Sequence, residues 1–570
     1  MATTRKTPAA KTAAGKSAAI KKAPAVKAAR TAAPAKTVRR PAAAADGADT
    51  GQRLRALHGR AAAGRAMTAD EPASRAPAAP ELRESRPYTS RYPISNDEFL
   101  ALKADAPTAR LGKVQATLAV DRTPRGGAAA RPALTPLAMS PGMGATLAPA
   151  AAANFDGIAA TGWLPPDCTL AAGPNHVLLS VNSSVAIHAK AGGAALLSRT
   201  LSAWFSNVAQ GLTVFDPKAL YDQHAGRWVL LAVAFSANPN RSVFLLSVSR
   251  TADPLGAWLN YSMNAMADGG TATNNWADYP GLGVDNQCFY FTANMFAFGG
   301  GFAYSKVRVV PKAGPYAGAA APFVDFVRLK NADGQLAFTV TPCHTYGAPQ
   351  VEYLVNSAFP SGNKLTLWHI TGPVGAPVMT RATVGVSNYS LPPNAQQKGG
   401  GTPLNSGDVR VLHAVFRGDS VWAALTTAHQ WTSAAANRAA VHWFQIRGAN
   451  GTLVQEGIYG SASQDYFYPA PCPDNNGNMM MVFSRSGSAE FAGVRYTGRK
   501  SNDPLGQLQS SALLQAGVAN YKALDSGGRN RWGDYAGIAS DPANPRLVWF
   551  YSGYANPANA WATRVGSALF

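Results

Sequence analysis

Six aspartates stand at a recurring place in the chain. Asp167, Asp216, Asp278, Asp408, Asp465 and Asp534 each lie about seven to eleven residues ahead of a turn. Carboxylates repeated in this way can ring a common opening and bind a cation, the hydroxyls of a sugar, or a basic group. The structural alternative is that each Asp accepts hydrogen bonds from backbone N–H groups and ties one repeat to the next. Asp278 and Asp534 carry the strongest chemical case. Each sits in a W-x-D-Y motif, Trp276-Ala277-Asp278-Tyr279 and Trp532-Gly533-Asp534-Tyr535, the second preceded by Arg531. In a strand, alternation puts Trp and Asp on one face and Tyr on the other. An aromatic ring beside a carboxylate suits a sugar, although Trp276 and Trp532 suit packing between sheets equally well. The six aspartates, the two tryptophans and Arg531 form the candidate ligand site. No catalytic residue stands out.

Several chemistries find little support. Glycoside hydrolysis generally uses paired carboxylates, one of them held protonated. From residue 154 onward the chain has only three glutamates, Glu352, Glu456 and Glu490, so such an enzyme would have to rely on Asp. The nine histidines form no H-E-x-x-H or H-x-H pattern, which argues against a histidine-based metal site. His369 and His442, each beside a Trp, read as core residues. No G-x-S-x-G occurs in a strand-to-helix setting. The run Asp474-Asn475-Asn476-Gly477-Asn478 offers oxygen ligands at alternate positions but lacks the distant bidentate Glu of a calcium loop. A plain hairpin turn is the expected reading, with calcium as a weak second and no other cofactor. Cys168, Cys288, Cys343 and Cys472 are far apart, which excludes a C-x-x-C zinc site and leaves their disulfide status open.

The elements that would position these side chains are strands. From Phe155 onward, short runs of Val, Leu, Phe, Tyr and Trp alternate with Gly, Pro, Asn and Asp clusters. One unit recurs: a strand, a tight polar turn, and a second strand. Its turns centre near Pro174, His224, Asn286, Ala348, Gly418, Asn476 and Ala543. Repetition at this period predicts four-stranded blades, hence an all-β, seven-bladed β-propeller, with six or eight blades as alternatives. The motif Asp253-Pro254-Leu255-Gly256 returns as Asp503-Pro504-Leu505-Gly506, in the same order relative to W-x-D-Y, as blade duplication would leave it.

The beginning of the chain has a different composition. Residues 1–40 hold eleven Lys or Arg and no acidic residue, and no aromatic residue appears before Tyr88. Residues 1–50 are expected to be a disordered Lys/Ala/Pro arm, unable to bury enough apolar surface to fold. Residues 51–153 are expected to be a mostly disordered linker with helical candidates at 51–67 and 95–106, and the propeller to span 154–570. Lys6, Lys11, Lys16, Lys21, Lys22, Lys27, Arg39 and Arg40 would bind a polyanion, nucleic acid or acidic polysaccharide, by counterion release. The alternative is a solubilising tail. No apolar run of signal-peptide or membrane-span length is present, and the protein reads as a monomer.

Three stretches carry a family resemblance: PPDCTLAAGPNHVLLSVNSSVAI, FDPKALYDQHAGRWVLLAVAF with SVSRTADPLGAW, and RWGDYAGIASDP with WATRVGSALF. They resemble bacterial β-propeller proteins of unassigned function, over residues 155–570. The resemblance implies the fold and an extracellular or cell-surface location. This chain departs from the group in showing no secretion signal, and in having Cys168-Thr169 where members carry Thr-Asn. The arm resembles the Lys/Ala/Pro tails of histone-like proteins. SRTADPLGAW is loosely similar to the Asp-box turn of sialidase-type propellers, with Gly256 one residue late. The expected function is a propeller that binds a glycan or protein ligand, tethered by a polyanion-binding arm. The alternatives are a sialidase-like hydrolase or lyase using channel-face Asp residues, and a nucleic-acid-associated protein acting through the arm.

Overall fold

The computed structural model describes residues 66–67, 87–89 and 144–570, apart from 526, 527 and 558. The basic arm with its lysines and arginines, the helical candidate at 95–106 and most of the linker lie outside the described residues.

The fold is an all-β propeller of four-stranded antiparallel meanders. Five sheets stand separately, one of them with an added fifth strand. A ten-stranded sheet contains two further meanders, starting at Asn275–Val284 and at His413–Arg417, bridged by the short strand His344–Thr345. Each of the seven turns named above falls between the first and second strands of a meander.

The second strands explain why the apolar runs are continuous rather than alternating. In Arg227–Ala237 every residue from Trp228 to Ala234 is buried, because the sheet packs against a neighbour on both faces. The first strands are richer in small residues, because they crowd together around the axis. At Gly281 a Cβ would lie 2.3 Å from Thr292 Oγ1 and 2.6 Å from Pro342 Cδ of the next meander.

The ring is closed by a strand from far away in sequence. Ala153–Ala159 pairs antiparallel with Ala560–Leu569 and completes the last sheet. Closure leaves only short outer edges, which limits edge-to-edge aggregation. Two of those edges take an extra strand from the N-terminal region. Pro87–Thr89 adds to Ala257–Asn264, and Ala66–Met67 adds in parallel to Val324–Val327. The helix expected over 51–67 therefore ends on two residues that are strand, because pairing to a sheet edge overrides local propensity. The described helices are short, at Leu201–Trp204, Ala313–Ala317 and the 3-10 turn Lys398–Gly400. Among the described residues no helix is long and apolar enough to cross a membrane.

Candidate functional site

Five of the first strands contain, or directly follow, an unusual backbone conformation. Asp167 (φ 51), Asp216 (φ 51), Tyr279 (φ 52), Thr339 (φ 54) and Tyr468 (φ 54) all lie in the left-handed region. Such values are uncommon outside glycine and are strained for a β-branched Thr. At Tyr279 and Tyr468 the left-handed residue sits at a break in strand register, so two residues face one partner. The strict alternation expected through W-x-D-Y is therefore interrupted at Tyr279.

Two residues beyond Asp167, Asp216, Tyr279 and Thr339 the chain reaches the axial channel, and two further first strands reach it at Leu412 and Gly537. Thr169-Leu170, Lys218-Ala219, Gly281-Leu282, Thr341-Pro342, Leu412-His413 and Gly537-Ile538 line a cavity of about 60 Å3. Five of these six pairs open on a small or apolar residue or a threonine, and five close on an apolar one. Lys218 and His413 break the pattern. Burial and the nearby Lys218 charge push the His413 pKa down to about 4. Burial, then the His224 and His413 charges, also hold His344 well below the usual histidine value. Among the described residues no Asp or Glu lines this channel.

One end of the channel carries a cluster of cations and phenols. Lys218 Nζ lies 2.9 Å from the centroid of the Tyr535 ring and 5.6 Å from that of Tyr279. The Arg410 guanidinium sits 4.2 Å over Tyr279, and Tyr279 meets Tyr535 edge-on at 5.8 Å. Tyr279 Oη donates to Asp534 O (3.2 Å) and Tyr535 Oη to Pro217 O (3.2 Å). Tyr468 Oη donates to Asn405 O (3.1 Å), which fastens a loop over this end. That loop is bound to a second one through Asn405 N–Asn530 O (2.8 Å) and Asn530 Nδ2–Thr402 O (3.0 Å).

The six aspartates have distinct positions. Asp167 and Asp216 converge on Asn182, whose Nδ2 donates to Asp167 Oδ2 (2.6 Å) and lies 3.4 Å from Asp216 Oδ1. Asn182 Oδ1 accepts from the Asp216 amide at 2.8 Å. Asp534 Oδ2 accepts from Arg531 Nη2 at 3.0 Å, and both residues are buried. Asp408 accepts from Arg410 Nε with both oxygens, at 2.7 and 2.9 Å. Burial works against the Arg410 charge, but Asp408, Tyr279 and Asp534 outweigh it and raise its pKa. Arg531 is likewise raised, as Asp534, Tyr468 and Asp167 outweigh its burial. Four of the six carboxylates thus share one buried neighbourhood with two arginines. Asp465 stands apart from them. It accepts from the amides of Ala439 (3.0 Å) and Gln396 (2.9 Å) and joins neighbouring segments. Asp278 is buried on the strand Asn275–Val284.

The two tryptophans pack within the sheets. Trp276 stacks on Phe235 at 5.2 Å and lies against Phe296 at 5.5 Å. Trp532 donates from Nε1 to Ser484 Oγ at 3.0 Å and meets Tyr521 edge-on. The three glutamates are engaged as well. Glu352 accepts from Cys343 N (3.1 Å) and Thr345 Oγ1 (2.8 Å), and burial raises its pKa well above the usual carboxylate range. Glu456 accepts from Ser387 and meets His442 Nε2 at 2.8 Å, and Glu490 is held by Arg485.

Asp474 Oδ1 accepts from the amides of Asn476 and Asn478, so its loop is a capped hairpin turn. Asp222, Asp285 and Asp541 cap the corresponding turns of other meanders in the same way. Asp253 caps its own turn through Leu255 N. Among the described residues no group of three or more His, Cys, Asp or Glu side chains is placed to hold a metal ion.

Sequence reasoning missed Lys218, His413, Arg410, Asn182 and the three tyrosines. One signal was available. Asp216-Pro217, Tyr279-Pro280 and Tyr468-Pro469 repeat an X-Pro pair at the same offset, marking the left-handed residue.

No family model matches the chain, and no curated protein does. Solved structures overlap it loosely. The Dos1 propeller aligns at 9% identity over 75% of this chain and 97% of its own, with a TM-score of 0.33. The WD40 domain of SCAP from fission yeast aligns at 12% identity over 71% of this chain and 86% of its own, with a TM-score of 0.30. A Trypanosoma rangeli sialidase mutant displaying trans-sialidase activity aligns at 9% identity over 60% of this chain, with a TM-score of 0.30. The chain spans about half of that sialidase's length, 52%. The propeller fold rests on the sheet order described above.

Proposed function

We propose that this chain is a seven-bladed propeller that binds a glycan or protein ligand in its axial channel and carries a polyanion-binding arm. The blade count is supported by the order of the first strands: each touches the next in chain order, and Gly537–Ser540 touches Thr169–Ala172. The proposed division is an arm over 1–50, a linker over 51–153 and the propeller over 154–570.

The observation that carries the binding reading is the channel lining. It presents the Lys218 ammonium, the His413 imidazole and the Thr292 hydroxyl beside apolar walls, while Thr169 accepts from Ala219 N and Thr341 donates to Val411 O. A few convergent polar groups beside apolar walls suit a group rich in hydroxyl or carbonyl oxygens that reaches in from the channel mouth. Hydrolysis of a glycoside generally uses two carboxylates facing one ligand. The nearest carboxylates instead hold Asn182, Arg531 and Arg410.

The test is a screen of glycans and peptides on the full chain, with Lys218→Met and Thr292→Val as variants. Each removes a channel-facing polar group and keeps the side-chain volume. A ligand bound by the parent should bind about tenfold more weakly to Lys218→Met, the loss expected for one charge-assisted hydrogen bond. Equal affinity in both variants rejects the channel as the site, and product release from a glycan favours the hydrolase. Removing residues 1–50 should abolish salt-sensitive retention on heparin or DNA while leaving channel binding intact.

A further inference from the structure

A second concentration of charge lies on the sheet built from Gln464–Pro473, Met479–Gly487 and Glu490–Arg499, sharing no residue with the channel. Arg485 grips Glu490 with two parallel contacts, Nε–Oε1 at 2.5 Å and Nη2–Oε2 at 2.9 Å. That carboxylate is therefore already taken up in a bidentate pair. Arg495 approaches the same carboxylate with Nη2 at only 3.6 Å, longer than a normal hydrogen bond. Its side chain is 19% exposed. Lys398 Nζ stands 5.3 Å over the Phe491 ring. Two arginines thus share one carboxylate, and Lys398 adds a third cation beside the neighbouring ring.

These groups line an open cavity of about 170 Å3. Its back is formed by a close backbone approach. Arg485 lies opposite Gly493 on the next strand, and Arg495 lies opposite Leu513. At Gly493 a Cβ would be 2.6 Å from Gln515 O, so the glycine lets the chain at 513–517 come in behind the arginines. Burial, followed by the repulsion of Arg485, pulls the Arg495 pKa below its ordinary value. A guanidinium placed in this way gains from an anion that reaches its open N–H groups.

We propose that the cavity between Lys398, Arg495 and Arg485 is an oxyanion site, taking a phosphate, sulfate or carboxylate group against the apolar walls of Phe491 and Leu513. The planar guanidinium of Arg495 supplies a forked donor, Lys398 a mobile point charge, and Glu490 fixes Arg485 as the rear wall. The same group arrives either as a free inorganic anion or as the charged substituent of an acidic sugar.

The test is equilibrium dialysis of the full chain with radiolabelled phosphate, alongside Arg495→Met and Lys398→Ala. The arm is identical in all three proteins, so a difference between them reports on the cavity. The parent should show one saturable site, at least about tenfold weaker in each variant. Arg495→Lys should fall between, because it keeps the charge and loses the fork. Melting midpoints equal to the parent's establish that the variants are folded, as expected for side chains at the margin of the sheet. Displacement by glucuronate, lost in the same variants, assigns the site to an acidic sugar. Displacement by phosphate and sulfate alone assigns it to a free anion. Phosphate binding that is absent, or equal in the parent and Arg495→Met, overturns the proposal.

Discussion

Replacing Asp534 by Asn separates a structural role from a ligand role. The Asp534 side chain is 0% exposed and that of Arg531 3% exposed, with 3.0 Å between Nη2 and Oδ2. Asn keeps the shape and one acceptor oxygen and removes the charge. Arg531 then remains buried, with Arg410 as a like-charged neighbour that lowers its pKa. Breaking a buried pair from one side costs about 3–5 kcal/mol, because the remaining charge is uncompensated. Unfolding entropy near 60 °C is about 2.1 cal/mol/K per residue, or roughly 0.9 kcal/mol/K for a propeller of this size. The melting midpoint should therefore fall by roughly 3–6 °C in scanning calorimetry. Arg531→Met in the Asp534→Asn background should restore part of that loss, since no buried charge is then left over. A midpoint within about 1 °C of the parent's, together with loss of ligand binding, would refute the structural reading and place Asp534 on the ligand.

Two further measurements bear on the interior. The folded His413 pKa is lowered to about 4, whereas an unfolded histidine titrates near 6.5. Its contribution to stability is complete above about pH 6.5 and is lost as pH falls towards 4, because only the unfolded chain takes up the proton in that window. Glu352, raised by burial, acts in the opposite sense over the same range, so the informative quantity is the difference between proteins. The urea midpoint of the parent should fall relative to that of His413→Gln between about pH 7 and 4.5, and parallel curves would reject the assignment. The four cysteines are all buried, and burial raises the thiol pKa values of Cys288 and Cys472 to about 12. Ellman's reagent should therefore label none of them in the native protein and all four in guanidinium, and rapid native labelling of any one would contradict the packing.

The turns were legible in the sequence because their chemistry is local. Asp222, Asp285, Asp474 and Asp541 each bond to backbone amides two to four residues ahead, and a pattern with so short a reach survives without knowledge of the fold. The continuous apolar second strands were legible for a similar reason. Other features depend on distant partners. Ala153–Ala159 gives no sign in sequence that it completes the last sheet, since its partner strand lies some four hundred residues on. Thr341–Pro342 and His344–Thr345 look like one strand, yet they pair into different sheets. At Tyr279 an extra residue in the strand re-aims the side chains that follow, so a face assigned by alternation does not hold beyond it.

The same contrast bears on why the six aspartates stand outside the channel lining. A feature that recurs once per blade answers a need that recurs once per blade, and at the start of each first strand that need is a partner for buried backbone amides and neighbouring polar groups. Asp465 meets it directly, and Asp167 and Asp216 meet it through Asn182. A ligand that lies on the axis makes different demands on different blades. On the proposed function its contacts would lie where the repeat is broken: Lys218 stands where other lining pairs carry threonine, glycine or leucine, and His413 where they carry leucine, alanine, proline or isoleucine. These two side chains lie close enough for the ammonium to depress the imidazole pKa, so a single ligand spanning them would feel both. If the channel is the binding site, Lys218→Met and His413→Gln should not contribute independently. Their combined loss of affinity should differ from the sum of the single losses by about 0.5–3 kcal/mol, as for groups that share one partner. Strict additivity would mean that no common ligand lies between them.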